Sequence, residues 1–349
     1  MTVWGARSGF ALPLHLLRRS ASILVAVTLT FFGLLLVTFL IGRVMPIDPV
    51  LAVVGDRATA EIYQRTRVEL GLDLPLYQQF FLYTSKVLQG DFGRSVLTSN
   101  SVLADIVRFF PATLELATLA TIMGVALGVP LGVIAASNQD RWPDQIIRVL
   151  GLLGYSVPVF WLGLVGLLVF YADLGWVAGP GRLDVAYDDI IEPTTGLILV
   201  DSLLAGEWEV FVNALRHIIL PASLLGYFSL AYISRMTRSF MLEQLRQEYV
   251  VTARVKGLGE RRVIWRHAFG NVMLPLVTVV ALSYASLLEG SVLTETVFAW
   301  PGIGSYITNS LLNADMNAVL GGTIVVGVVF IGLNLASDIL YRVLDPRAQ

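Results

Sequence analysis

Residues able to do chemistry are sparse in this chain. It has no cysteine, so no disulfide framework or thiolate metal site can form, and His15, His217 and His267 lie too far apart to read as a ligand set. No Gly-Lys pair occurs, so the phosphate-cradling loop of an ATPase and its lysine are missing. There is no Gly-x-Ser-x-Gly elbow, no His-Glu-x-x-His helix and no pair of acids inside an apolar stretch. What remains is one basic stretch, Arg235 to Gly270, containing the run Glu248-Tyr-Val-Val-Thr-Ala-Arg-Val-Lys-Gly257. Gly257 and Gly259 bracket Leu258 and interrupt the helical pattern, and a second amphipathic stretch starts at Glu260. Helix, sharp turn, helix is the geometry this predicts: a compact knob that suits a groove on another protein, or a basic loop obeying membrane topology alone. No metal or cofactor is expected in this chain, and no nucleic-acid partner.

The elements that position the knob are membrane helices. Hydrophobic residues make up 56% of the chain and charged ones 14%, with mean hydropathy +0.72, where soluble domains carry about 25% charge. A crossing helix needs about 20 apolar residues for a hydrocarbon core of roughly 30 Å. Six apolar stretches qualify: Ser22 to Gly42, Leu116 to Ala136, Val149 to Ala172, Ile218 to Ser234, Val272 to Leu288 and Asn317 to Ser337. The expected fold is all-α, a polytopic membrane protein with six transmembrane helices. With their flanks the spans occupy 22–42, 111–136, 149–172, 217–234, 271–290 and 317–340. Around them lie an N-terminus (1–21), two outer segments (43–110 and 173–216), an inner loop (235–270) and a tail (341–349). The glycines and prolines inside the spans, such as Gly124, Gly128 and Pro130, suit packed membrane helices, where small residues let backbones approach.

Charge orients the bundle. Arg18 and Arg19 precede the first span, which places both termini in the cytoplasm after six crossings. The inside segments then hold fifteen basic residues against six acids, and the outside segments nine against seventeen. The reverse orientation would invert that bias. The first apolar run exceeds the usual length of a secretory signal, roughly 7 to 15 residues, and no small-x-small site follows it, so it reads as an uncleaved anchor.

In the outer segment 43–110, Leu76, Phe80, Tyr83 and Val87 form an amphipathic pattern after Pro75, whose apolar face should pack on the spans. The segment 173–216 is acidic, and its apolar run Leu197 to Val200 is too short to cross. Three acids, Glu115, Glu289 and Asp338, sit at span ends. Glu115 and Glu289 are candidate solute-pathway groups, although local pairing, as of Asp338 with Arg342 one turn on, is the commoner role of such residues.

Several segments together resemble a known family. The loop with Ala253, Gly257 and the closing Leu274-Pro275 resembles the signature of ABC importer permeases of the dipeptide, oligopeptide and nickel group. Also similar are Pro46-Ile-Asp-Pro49, Leu70-Gly-Leu-Asp73 with Pro75, Gly90-Asp-Phe-Gly93 with Ser95, Pro111-Ala-Thr-Leu-Glu-Leu116, Ser156-Val-Pro158, His217-Ile-Ile-Leu-Pro221, Glu295 to Gly304 and Asp345-Pro-Arg347. Two departures stand out: Val255 replaces a frequent alanine, and Ala314-Asp-Met-Asn317 replaces the family's turn before the last span.

The resemblance implies a bacterial inner-membrane subunit that moves peptides or similar small solutes by alternating access. Its partners would be a second, similar permease, two ATPase subunits that bind ATP and Mg, and an extracytoplasmic solute-binding protein. The inner loop would be the coupling helix, with Glu248, Ala253, Arg254, Lys256 and Gly257 as its ATPase contacts. The rival class is an ion-gradient-driven secondary transporter, which would show inverted repeats and buried ion ligands; no clear internal repeat is visible.

Overall fold

The computed structural model describes residues 14–44, 49–55, 57–188 and 190–344, and among them there is no strand, only an isolated bridge between Arg94 and Ser101. Arg7, Pro46-Ile-Asp48 and Asp345-Pro-Arg347 lie outside the described residues, as do the side chains of Arg18, Arg19, Asp338 and Arg342. The order is α1 (Leu14–Val44), α2 (Pro49–Val54), α3 (Ala60–Glu69), α4 (Leu76–Leu88), α5 (Val102–Ser137), α6 (Trp142–Ser156) and α7 (Val159–Gly166). It continues through α8 (Ile198–Ala205), α9 (Trp208–Leu245), α10 (Glu248–Val255), α11 (Glu260–Arg262), α12 (Phe269–Gly290), α13 (Val292–Val297), α14 (Ile303–Leu312) and α15 (Met316–Leu344). π-Helical turns extend α7 over Leu167–Asp173 and join α11 to α12 over Val263–Ala268.

Five helical stretches are long and apolar enough to cross a membrane: Leu24–Val44, Val102–Ser137, Trp208–Leu245, Glu260–Gly290 and Met316–Ser337. A sixth crossing forms if Trp142–Gly154 and Val159–Asp173, bent by 96°, count as one. The bend has a local cause. Val157 precedes Pro158, whose ring disfavours the helical region for the preceding residue, and Val157 is extended at φ −101°, ψ 129°. The apolar pattern runs on through that point, so hydropathy alone reads one straight span where the backbone makes two helices. α9, with 38 residues, is about 57 Å long and outreaches a bilayer of about 40–45 Å including headgroups. Its apolar stretch covers only the middle, because the helix carries Arg235, Arg238 and Glu243 beyond it.

The centre of the fold is the close approach of α5 and α9. Gly124, Gly128 and Gly132 recur every four residues and so form a bare stripe on one face of α5. A Cβ at Gly124 would sit 2.4 Å from Ser229 Oγ, and one at Gly132 would sit 2.6 Å from the Ser234 carbonyl oxygen. Beyond the stripe, Leu116, Ala117 and Ala120 of α5 meet Ile218, Ala222 and Leu225 of α9, with Leu287 and Leu288 of α12 and the buried Trp300 closing the cluster. α1 lies outermost, where Leu35 packs with Val87 of α4 and Ile324 of α15. Phe80 meets Phe39 edge-on at 5.3 Å and Tyr83 donates to Thr38 at 3.0 Å, so most of the α4 apolar face packs on α1 while Leu76 stays exposed.

The bundle thus has two chemically distinct ends. One carries α10 and the arginines that follow it; the other carries Asp184, Asp188, Glu192, Asp201, Glu207 and Glu209.

Candidate functional site

At the basic end the chain leaves α9 and forms α10. The backbone closes α10 with a paired glycine motif: Gly257 N–H donates to the Arg254 carbonyl at 2.9 Å and Leu258 N–H to the Ala253 carbonyl at 3.3 Å. This geometry puts Gly257 at φ +78°, the left-handed region where a side chain is strained. Leu258 folds back onto the apolar face it has just capped. The next helix starts at once, with Arg262 and Val263 donating to the Gly259 carbonyl.

α10 is rigidly seated. Val250 and Ala253 are buried in a cluster with Met241 of α9, Val133 and Ala136 of α5, Val263 and Ala268 of the π-helical turn, and Val272 of α12. Ala253 therefore allows close approach to this chain's own core. The opposite face is open: Glu248, Tyr249, Val251, Arg254, Val255 and Lys256 are exposed, Val255 at 82%. Arg254 already has a partner, because Glu260 across the turn accepts from its Nη2 at 2.6 Å and its Nε at 3.2 Å. That carboxylate raises the Arg254 pKa. The pair is exposed on both sides, which limits it to about 0–1 kcal/mol. Tyr249, Val251 and Val255 escaped the sequence reading, although the period of a helix whose inward positions are 250 and 253 would have marked them as outward.

A second fastening at this end links α6 to α9. Asp144, fully buried, accepts from Arg238 Nε and Nη2, each at 2.6 Å, and from the Asp140 backbone N–H at 3.0 Å. Packing and this ion pair thereby join α5, α6, α9, α10 and α12 at the basic end.

At the acidic end the candidate Glu115 is committed to structure. Arg182 of the outer segment donates to its carboxylate, Leu199 N–H donates to it at 2.7 Å, and the guanidinium lies 5.7 Å from the Trp300 ring centre. Glu289 is exposed at the end of α12 beside Phe110 and Phe330. The structure does not bring the two together with the knob residues. The acid that organises this end is Glu295, buried, which accepts from Thr113 Oγ1 at 2.7 Å, Ser291 Oγ at 2.9 Å and Ser305 N–H at 2.9 Å. Burial raises its pKa, against the pull of these hydrogen bonds. A Cβ at Gly302 would fall 2.4 Å from its carboxyl carbon, which explains the glycine in the Glu295 to Gly304 segment. The turn Ala314-Asp-Met-Asn317 also has a role: buried Asp315 accepts from Ser95 Oγ at 2.6 Å, and Asn317 donates to the Arg94 carbonyl at 2.9 Å.

Comparison with known proteins decides what this arrangement belongs to. Residues 128–349 match the family model described as binding-protein-dependent transport system inner membrane component, and residues 14–117 match the model of its N-terminal part. The chain belongs to that family. It is 44% identical over 317 residues to the probable D,D-dipeptide transport system permease protein DdpB of Escherichia coli K12, covering 90% of this chain and 92% of that one. It is likewise 44% identical over 321 residues to the di/tripeptide transport system permease protein DppB of Pseudomonas aeruginosa, covering 92% and 95%. The fold is similar to a chain of the MetNI methionine ABC transporter in an inward-facing conformation, with TM-score 0.51 and 15% identity over 69% of this chain and 96% of that one. As a binding-protein-dependent inner membrane component, the chain is a multi-pass permease subunit of an ATP-binding-cassette importer.

Proposed function

We propose that this permease carries di- or oligopeptides into the cytoplasm, as one half of a permease pair with a second, similar chain, powered by two ATPase subunits that bind ATP and Mg. Both termini and α10 lie in the cytoplasm, and the acidic end faces outward, where a solute-binding protein delivers its cargo. The observation that carries the coupling part of this reading is the seating of α10: a helix whose inner face is fixed by Val250 and Ala253 and whose outer face is left to an apolar and charged strip. A closing motion of the ATPase subunits against Glu248, Val251, Val255 and Lys256 would turn the basic end as a rigid body and reopen the bundle at the other end. The peptide cargo rests on the printed names of the relatives.

The test is to tag the chain in its native host, solubilise membranes in mild detergent and identify what co-purifies, then to measure uptake of labelled dipeptides in a deletion strain. Recovery of ATPase subunits and a second permease, with dipeptide uptake lost on deletion, is the expected result. Recovery of the chain without a second permease or two ATPase subunits, or dipeptide uptake undiminished on deletion, would overturn this reading.

A further inference from the structure

Between α5, α6 and α9 the basic end holds a cleft of about 480 Å³. Its walls run along α9 from Tyr227 to Ser239, twelve residues or about 18 Å. Its wall farther from the charged end of α9 is apolar, lined by Leu131, Leu150, Leu152 and Leu230, and Tyr227 donates to the Leu150 carbonyl there. The mouth is cationic: Arg148, Arg235 and Arg238 line it with Ser234 and Ser239. Arg238 is balanced by Asp144, and Arg235 stands 5.9 Å over the Tyr232 ring. Among the described residues that line the cleft there is no aspartate or glutamate, and the nearby Asp144 carboxylate is taken up by Arg238.

This polarity has a direction. Charge sits where α9 emerges from its apolar stretch, and the apolar part points toward the bilayer centre over a depth close to half the hydrocarbon thickness, about 15 Å. We propose that the cleft is a binding site for an acidic phospholipid of the leaflet at the basic end, its headgroup phosphate held by Arg148 and Arg235 and one acyl chain lying along α9. Basic pockets between membrane helices recognise anionic headgroups by the same combination of charge and depth. A peptide fits one end only. Its carboxylate would meet the arginines, but its ammonium group would lie among leucines with no carboxylate to pair with, and an unpaired charge there is strongly disfavoured.

The experiment uses the intact importer, purified from native membranes in mild detergent, with retained lipids counted by native mass spectrometry. Its thermal midpoint is then compared in nanodiscs of phosphatidylglycerol and of phosphatidylcholine. Wild type should retain acidic lipid and melt higher in phosphatidylglycerol. The double variant Arg148→Gln/Arg235→Gln should reduce retention by about tenfold. Leu152→Trp, which fills the apolar part and leaves the arginines in place, should reduce it as well. Arg261→Gln/Arg262→Gln, which removes equal charge outside the cleft, should leave retention unchanged. Equal retention of neutral lipid by wild type, or an equal loss in the Arg261/Arg262 variant, would overturn the site. Displacement of the lipid by millimolar dipeptide would overturn it in favour of a solute subsite.

Discussion

At Glu295 donors from Thr113, Ser291 and Ser305 converge on one buried carboxylate. Glu295→Ala leaves them without an acceptor in a closed pocket, and each such orphan costs about 1–3 kcal/mol. The expected outcome is a fall of at least several degrees in the thermal midpoint of the purified protein, with insertion retained; an unchanged midpoint would show that the cluster carries no structural weight. Gly257→Ala should be milder. Nothing lies within 4 Å of a Cβ placed there, so only the strain of φ +78° is felt, about 1 kcal/mol. Residue-scale roles were unevenly legible in the sequence. Gly257 was readable because its turn is local. Glu295 was visible as part of a motif, yet its partner Thr113 lies 182 positions away, and no periodicity reports a contact of that range. For Glu115 local pairing was the commoner expectation beside a pathway role, but its partner Arg182 lies in a segment with no regular pattern, so the pair itself was not legible.

The α5–α9 interface makes its own prediction at the scale of elements. Gly132→Val places methyls into the Ser234 carbonyl and the Thr237 side chain, both 2.6 Å from the new Cβ, so the helices must separate. Overpacking of this kind costs about 1–3 kcal/mol, and a flexible neighbour cannot absorb it because one contact is backbone. Lower yield and a lower melting midpoint are expected, whereas Gly332→Val on α15, exposed and with nothing within 4 Å of the new Cβ, should change neither. Helix existence was largely written in hydropathy, because about 20 apolar residues leave few alternatives in a membrane. What hydropathy could not supply was the break at Val157 and Pro158, since leucine and valine continue on both sides, or the full reach of α9, whose charged turns are held by Asp144 and by packing against α10.

For the whole molecule, the absence of cysteine makes orientation directly measurable. Thr252→Cys on α10 should react with a membrane-impermeant maleimide only after the membrane is opened, and Ser99→Cys, on the exposed loop before α5, should react in intact spheroplasts. The opposite pattern would invert the proposed topology. If α10 is the knob through which motion enters the bundle, Val255 tests it with least disturbance, since its side chain is 82% exposed on the open face. Val255→Asp should leave abundance and membrane insertion at wild-type levels while the ATPase subunits recovered by co-purification fall by tenfold or more, about 1.4 kcal/mol of lost docking. Undiminished recovery of those subunits with the variant, together with undiminished uptake, would show that α10 is not where the ATPase subunits dock.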